Sequence, residues 1–184
     1  MDKAKLSRTL YRWRVRAGLV FLPALILVAR PRPASVIAGV AVCVLGLLIR
    51  AWAAGHIKKE KELAVSGPYR YTRNPLYLGN FFLGLGVGIG TDSWAGLIIF
   101  AVYFLAFYPP VILEERERMK RLFPAAYEDY RKKIPIFFPT LRPYPAAPGA
   151  KFSGAQYRKN HEQRALVGSG IIWAILMARM LFKF

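Results

Sequence analysis

The chain is 184 residues long, 55% hydrophobic, and carries a formal charge of +18. Its apolar residues are gathered into blocks separated by strongly basic ones, which points away from a nucleic-acid binder and towards an integral membrane protein. The lone cysteine, Cys43, leaves no disulfide or cysteine metal cluster within the chain, and His56 and His161 lack metal-ligand spacing, so no metal is expected.

Residues 1–184 read as a single membrane domain. The basic start followed by "AGLVFLPALILVA" resembles a signal peptide, but no small-residue cleavage site precedes a polar domain, and a retained first span begun near Leu10 is expected. Arg12, Arg14 and Arg16 would reach back to the headgroups. The second span is Pro33 to Gly55, with proline in the first turn, where no backbone donor is needed, and Cys43 as a packing residue. Spans follow at Leu76 to Gly90, Trp94 to Leu113 and Ala165 to Phe182, with tight hairpins through "RPRP" and "TDS".

From Glu114 to Pro139, Met119, Leu122, Phe123, Tyr127 and Tyr130 recur at three- or four-residue spacing, which predicts an amphipathic interfacial helix that Pro124 kinks or restarts. A connector rich in proline and glycine then leads to the last span, over 140–184. The expected fold class is therefore all-α and polytopic, with about five transmembrane helices and a cytoplasmic interfacial helix. Five spans put 23 of the 28 basic residues on one side, so that side and the N-terminus are expected to be cytoplasmic and the C-terminus across the membrane.

Four features bring polar groups to that boundary. In "SGPYRYTRNPLYLGN", Ser66 to Asn80, two prolines and two glycines allow a compact loop and a helix start, where backbone donors and Arg73 could hold an anionic group. Glu114 and Glu115 sit where two acids oppose a helix macrodipole; they either bind a cation or pair along the helix, as Glu114 with Arg118. Arg50, near the end of span two with Trp52 and His56, either snorkels or faces a polar cavity. Asn160, Glu162 and Arg164 precede the last span and could close a site from above, or form an ordinary charged flank.

With those residues in view, the chain resembles the isoprenylcysteine carboxyl methyltransferase family and its relatives among phospholipid methyltransferases. "GPYRYTRNPLYLG" looks like the family's glycine, tyrosine, then Arg-His-Pro-x-Tyr-x-Gly pattern, followed by "EE" and by "LFPAAYEDYRKKIPIFFP" with Tyr127, Tyr130 and Pro139, so the likeness covers roughly 50–139. The resemblance implies a membrane enzyme using S-adenosylmethionine in a cytoplasmic pocket, with a lipophilic acceptor arriving from the bilayer. It implies cofactor contacts from Val65, Gly67, Tyr69, Tyr71, Arg73, Asn74, Tyr77, Glu114 and Glu115, with Arg73 and Glu115 central to catalysis. Arg50, His56, Glu162 and Arg164 are the candidate substrate residues. Asn74 stands where the family has histidine, and no basic residue stands in Tyr108 to Leu113 before the paired acids, as it does in eukaryotic-type members. A nicotinamide-dependent membrane reductase and a non-catalytic protein binding anionic lipid are the competing readings.

Overall fold

The structure is a computed structural model that describes residues 3–58, 61–146 and 149–182, the side chains of 3–12, 14 and 15 excepted. Lys59 and Lys183, two of the 28 basic residues, lie outside the described residues. The helices are α1 (Lys3–Val28), α2 (Pro33–Ala54), α3 (Pro75–Gly90), α4 (Trp94–Leu122), α5 (Pro124–Lys133), α6 (Gly154–Lys159) and α7 (Gln163–Phe182), with a 3-10 turn at Gly67–Arg70. Among the described residues there is no strand, and the all-α expectation holds.

Helix starts follow local chemistry. Pro33, Pro75 and Pro124 each occupy the first turn of a helix, where the missing N–H costs nothing. Ahead of α2, Ser35 Oγ accepts from the Arg32 N–H at 3.0 Å. Pro124 restarts the chain direction as its sequence position suggests, but two boundaries differ from the expectation. Helix α1 begins at Lys3, not near Leu10, and α4 runs on to Leu122, not to Leu113. Beyond Leu113 the helix is held by ion pairs along its own surface: Glu115 with Arg118 at 3.7 Å, Glu117 with Lys120 at 3.3 Å and Glu114 with Arg121 at 3.6 Å. The amphipathic segment is also shorter than expected, because α5 ends at Lys133 and 134–139 is irregular backbone.

Helices α2, α4 and α7 are long and apolar enough to cross a membrane, while Arg16–Val28 and α3 are shorter apolar helices. Ile37, Leu48, Leu105 and Ile171 on the three long helices are each more than half exposed, an outer surface that suits hydrocarbon and not water. At 16 residues, α3 is about 24 Å long, short of a hydrocarbon core of about 30 Å. It packs along α2 in the most extensive helix pairing among the described residues, while α1 packs on α4.

That pairing depends on backbone reaching backbone. A Cβ at Gly46 would stand 2.8 Å from Gly79 O, and one at Gly79 would stand 2.9 Å from Gly46 O. Helices in an apolar medium gain little from hiding apolar surface from one another, so close approach at small residues carries the association. Leu25, Ala29, Val36, Cys43, Val87, Trp173 and Leu176 fill the core between α1, α2, α3 and α7, with Cys43 buried as expected. Phe100, Phe104, Tyr108 and Ile112 of α4 form a second cluster with Tyr77 and Phe81 of α3.

At one end of the bundle the turns close simply. Arg32 bridges to Asp92, the Arg30 N–H donates to Thr91 O at 2.7 Å, and Arg179 Nε and Nη2 donate to Ala29 O and Leu27 O at 2.8 and 2.9 Å. The opposite end carries the motif loop.

Candidate active site

The loop at 67–74 is held by the irregular chain that follows α5. Arg73 N–H donates to Pro135 O at 3.0 Å, Asn74 Nδ2 to Ile136 O at 2.8 Å and Thr72 Oγ1 to Phe137 O at 2.7 Å. Further along, Thr140 N–H donates to Tyr71 O at 2.9 Å, and Tyr144 and Arg70 exchange hydrogen bonds, N–H to Arg70 O at 2.8 Å and Arg70 Nε to Tyr144 O at 2.7 Å. Residues 135–144 therefore run along the motif loop, and the connector that composition marks as irregular is fixed by it. Asn74 spends its side-chain amide on this clamp. A ring N–H of the family's histidine could donate to the same carbonyl, so the departure keeps the donor and forgoes only the charge.

Helix α5 supplies the second wall. Tyr127 and Tyr130 are buried with Ile134, and Leu63, Val65, Met119, Phe123 and Tyr144 pack around them. Tyr130 Oη donates to Tyr69 O at 2.5 Å, and Arg73 Nη1 donates to Tyr127 Oη at 3.0 Å with its guanidinium 5.8 Å from the Tyr127 ring centre. The paired tyrosines thus orient the two motif residues that carry polar ends.

Those ends are incompletely used. Tyr69 Oη and Arg73 Nε are buried without a hydrogen-bond partner. Burial pushes the Tyr69 phenol well above its usual range, and Tyr130, Glu115, Tyr77 and Glu162 act in the same direction. Tyr69 is therefore a neutral hydroxyl, able to donate, that lies within electrostatic reach of Glu115 and Glu162. A buried polar group left unpaired costs about 1–3 kcal/mol, which a polar ligand would offset.

Third comes the latch from the C-terminal segment. Arg50 Nε and Nη2 donate to the two carboxylate oxygens of Glu162 at 2.5 and 2.9 Å, and Arg50 Nη1 donates to Asn80 Oδ1. Arg50 does not snorkel; it faces polar partners in the interior and ties α2 to α3 and to the start of α7. Asn160 Nδ2 adds bonds to Ala54 O at 2.8 Å and Ile57 O at 3.1 Å. His56 packs elsewhere: its Nδ1 lies 2.8 Å from Trp52 O, and a Cβ at Gly67, whose φ is 55°, would stand 2.6 Å from its ring. Glycine is required there by both conformation and space.

Glu115 and Glu162 thus lie within electrostatic reach of Tyr69, which shares its loop with Arg73, and Asn74, Val65 and Gly67 support that loop. Tyr71 turns to Trp52, with ring centres 6.2 Å apart, and Tyr77 lies against Tyr108 at 6.0 Å. Glu114 pairs with Arg121, not with Arg118, and Arg164 is exposed and outside the cluster. Sequence reasoning missed Thr72 and Asn80. The available signal for Asn80 was an amide inside an otherwise apolar helix, a placement that demands a partner.

The phospholipid methyltransferase family profile matches residues 34–126, half of the chain, and the chain belongs to that family. Among curated relatives, a nickel-cobalt-cadmium resistance protein of Alcaligenes xylosoxydans xylosoxydans is 40% identical over 94 residues, covering 50% of this chain and 44% of its own. A cobalt-zinc-cadmium resistance protein of Cupriavidus metallidurans is 38% identical over 97 residues, covering 52% and 44%. The protein-S-isoprenylcysteine O-methyltransferase of Schizosaccharomyces pombe is 30% identical over 83 residues, covering 45% and 35%. The match to each relative spans less than half of that relative's length. No solved structure matches.

Proposed function

We propose that this chain is an integral membrane methyltransferase that moves a methyl group from S-adenosylmethionine to a lipophilic acceptor. The observation that carries the reading is the motif loop itself, in which Tyr69 Oη and Arg73 Nε are buried without a partner while Glu115 and Glu162 lie within electrostatic reach of Tyr69. Family membership and the likeness to a prenylcysteine O-methyltransferase support the same chemistry.

The residues fit the cofactor's groups. Arg73, with a free buried Nε, suits the carboxylate of its amino-acid end; Glu115 suits the ammonium or ribose hydroxyls; and the Tyr69 hydroxyl is a donor for any oxygen or nitrogen nearby. The cofactor supplies an electrophilic methyl on a sulfonium, so the acceptor's lone pair forms a bond to carbon as the carbon–sulfur bond breaks and sulfur leaves as a neutral thioether. This displacement needs alignment more than proton transfer, and the clamp of 135–144 on the loop serves alignment. A carboxylate acceptor needs no base. An amine must first lose a proton, and Glu115 is the candidate to take it.

The topology that goes with this reading has five spans, α1, α2, α3, α4 and α7, with α5 at the cytoplasmic interface and the C-terminus opposite. The test is to incubate the purified protein in liposomes with methyl-labelled S-adenosylmethionine and a panel of prenylcysteines, aminolipids and apolar acids. Label transferred to one acceptor class and abolished by Arg73→Ala supports the reading; no transfer to any, by folded protein, contradicts it.

A further inference from the structure

A cavity of about 300 Å³ lies where the chain after α2 meets the chain before α7, lined by Lys58, Lys61, Gln156, Lys159, Asn160 and His161. Its volume is at the lower end of small-ligand pockets, about 300–1,000 Å³. Three of its six lining residues are lysines. Lys58 is paired with Glu62 at 3.2 Å, both half-exposed, whereas among the described residues no carboxylate pairs with Lys61 or Lys159. Like charges gathered in one concavity repel one another, and the arrangement becomes favourable when an anion sits between them.

The walls are anchored. Asn160 is pinned to the end of α2 through Ala54 O and Ile57 O, and His161 is held at φ 55°, a left-handed conformation uncommon for a residue with a side chain. Lysines supply compact charges with three donors each, which suits the oxygens of a phosphate without the planar match that arginine needs. Position narrows the source further: α2 ends at Ala54 and α7 begins at Gln163, and both are membrane-length helices, so the cavity stands at the level of lipid headgroups.

We propose that this cavity is a phosphate-binding site at the membrane surface, distinct from the candidate methyl-transfer site. The shared chemistry is a phosphate group, borne by an anionic phospholipid or free in solution. A bound phosphate would tie the loop after α2 to the segment that delivers Glu162 to Arg50, and so would stabilise the latch over the candidate active site.

The test measures thermal unfolding midpoints of the full chain in two arms: in detergent with increasing inorganic phosphate, and in phosphatidylcholine nanodiscs with and without phosphatidic acid. Lys61→Gln/Lys159→Gln is compared with Lys132→Gln/Lys151→Gln, which removes equal charge from exposed sites outside the cavity, and with Lys61→Arg/Lys159→Arg, which keeps it. The wild type should gain a saturable upward shift that the exposed pair retains, that the arginine pair largely keeps, and for which the cavity glutamine pair needs about tenfold or more ligand. A shift with both ligands identifies free phosphate as sufficient, and a shift with phosphatidic acid alone identifies the lipid; both outcomes support the site. Equal loss in the two glutamine pairs would assign the effect to diffuse charge and overturn it, as would no shift with either ligand.

Discussion

The two ends of the bundle close differently, the Arg32 end through the short turns 29–32 and 91–93 and the motif end through the longer segments 55–74 and 134–153, and they treat their polar groups differently. At the Arg32 end, the exposed Arg32 pairs with the partly buried Asp92, and Arg179 fills the carbonyls left at the end of α1. At the motif end, arginine, tyrosine and glutamate are taken inside, and of the three buried side-chain atoms without a partner among the described residues, Tyr69 Oη and Arg73 Nε lie in one short loop. The third, Trp173 Nε1, belongs to the core between α2, α3 and α7. A turn that only has to close can satisfy its groups locally or in water. One that leaves desolvated donors aimed inward holds them at a cost in stability, which makes sense where a ligand completes them.

The sharpest way to break this contrast is at the latch. Arg50→Leu leaves Glu162 buried without its partner and should cost about 3–5 kcal/mol, read as a lowered midpoint in detergent, whereas Arg50→Leu/Glu162→Leu should recover most of it. Equal stability of the single variant and wild type would show the pair to be ornamental. Next is Arg73→Ala, which should lower cofactor affinity by tenfold or more, about 1.4 kcal/mol or above, because a charge-assisted contact is lost. Its unfolding midpoint should change little, since the loop keeps the Arg73 N–H to Pro135 O bond and the Asn74 clamp.

A more diagnostic substitution is Tyr69→Phe. Removing an unpartnered buried hydroxyl should leave the ligand-free protein as stable or more stable by about 1 kcal/mol, while weakening cofactor binding. Lost stability with unchanged binding would place a hidden structural bond on that oxygen. The smallest effect belongs to the other end. The Arg32 hydrogen bond holds the Asp92 carboxyl below its ordinary value, so the pair contributes stability above an unfolded pKa of about 3.9 and loses it as pH falls through the lower folded value. Asp92→Asn should therefore differ from wild type slightly near neutrality, and the difference should vanish in acid; a gap that persists below the folded pKa would mean the pair acts by packing.

The sequence makes the apolar helices legible because hydropathy and flanking charge are local properties. Pro33 to Gly55 and Leu76 to Gly90 fall within a residue of the observed α2 and α3. What it hid depends on partners distant in the chain. Leu113 looks like the end of a span because polarity begins there, yet helical ion pairing continues α4 to Leu122. Arg50 looks like a snorkelling residue until Glu162, far along the chain, is brought to it. Gly79, legible as a motif glycine, lies where α2 passes close to α3, so part of a motif that resembles a cofactor signature serves helix packing. Asn74 is similar: its position in the motif suggests a ligand contact, and its amide holds Ile136 O.

The central claim is that the motif end is a cofactor site and the Arg32 end is not, and calorimetric titration with S-adenosylhomocysteine tests it most directly. Detergent-purified wild type, Arg73→Ala and Asp92→Asn would be compared, each first shown to be folded. The account predicts saturable binding by wild type and Asp92→Asn, weakened at least tenfold in Arg73→Ala. Absence of binding by wild type, or equal affinity in Arg73→Ala, would contradict it.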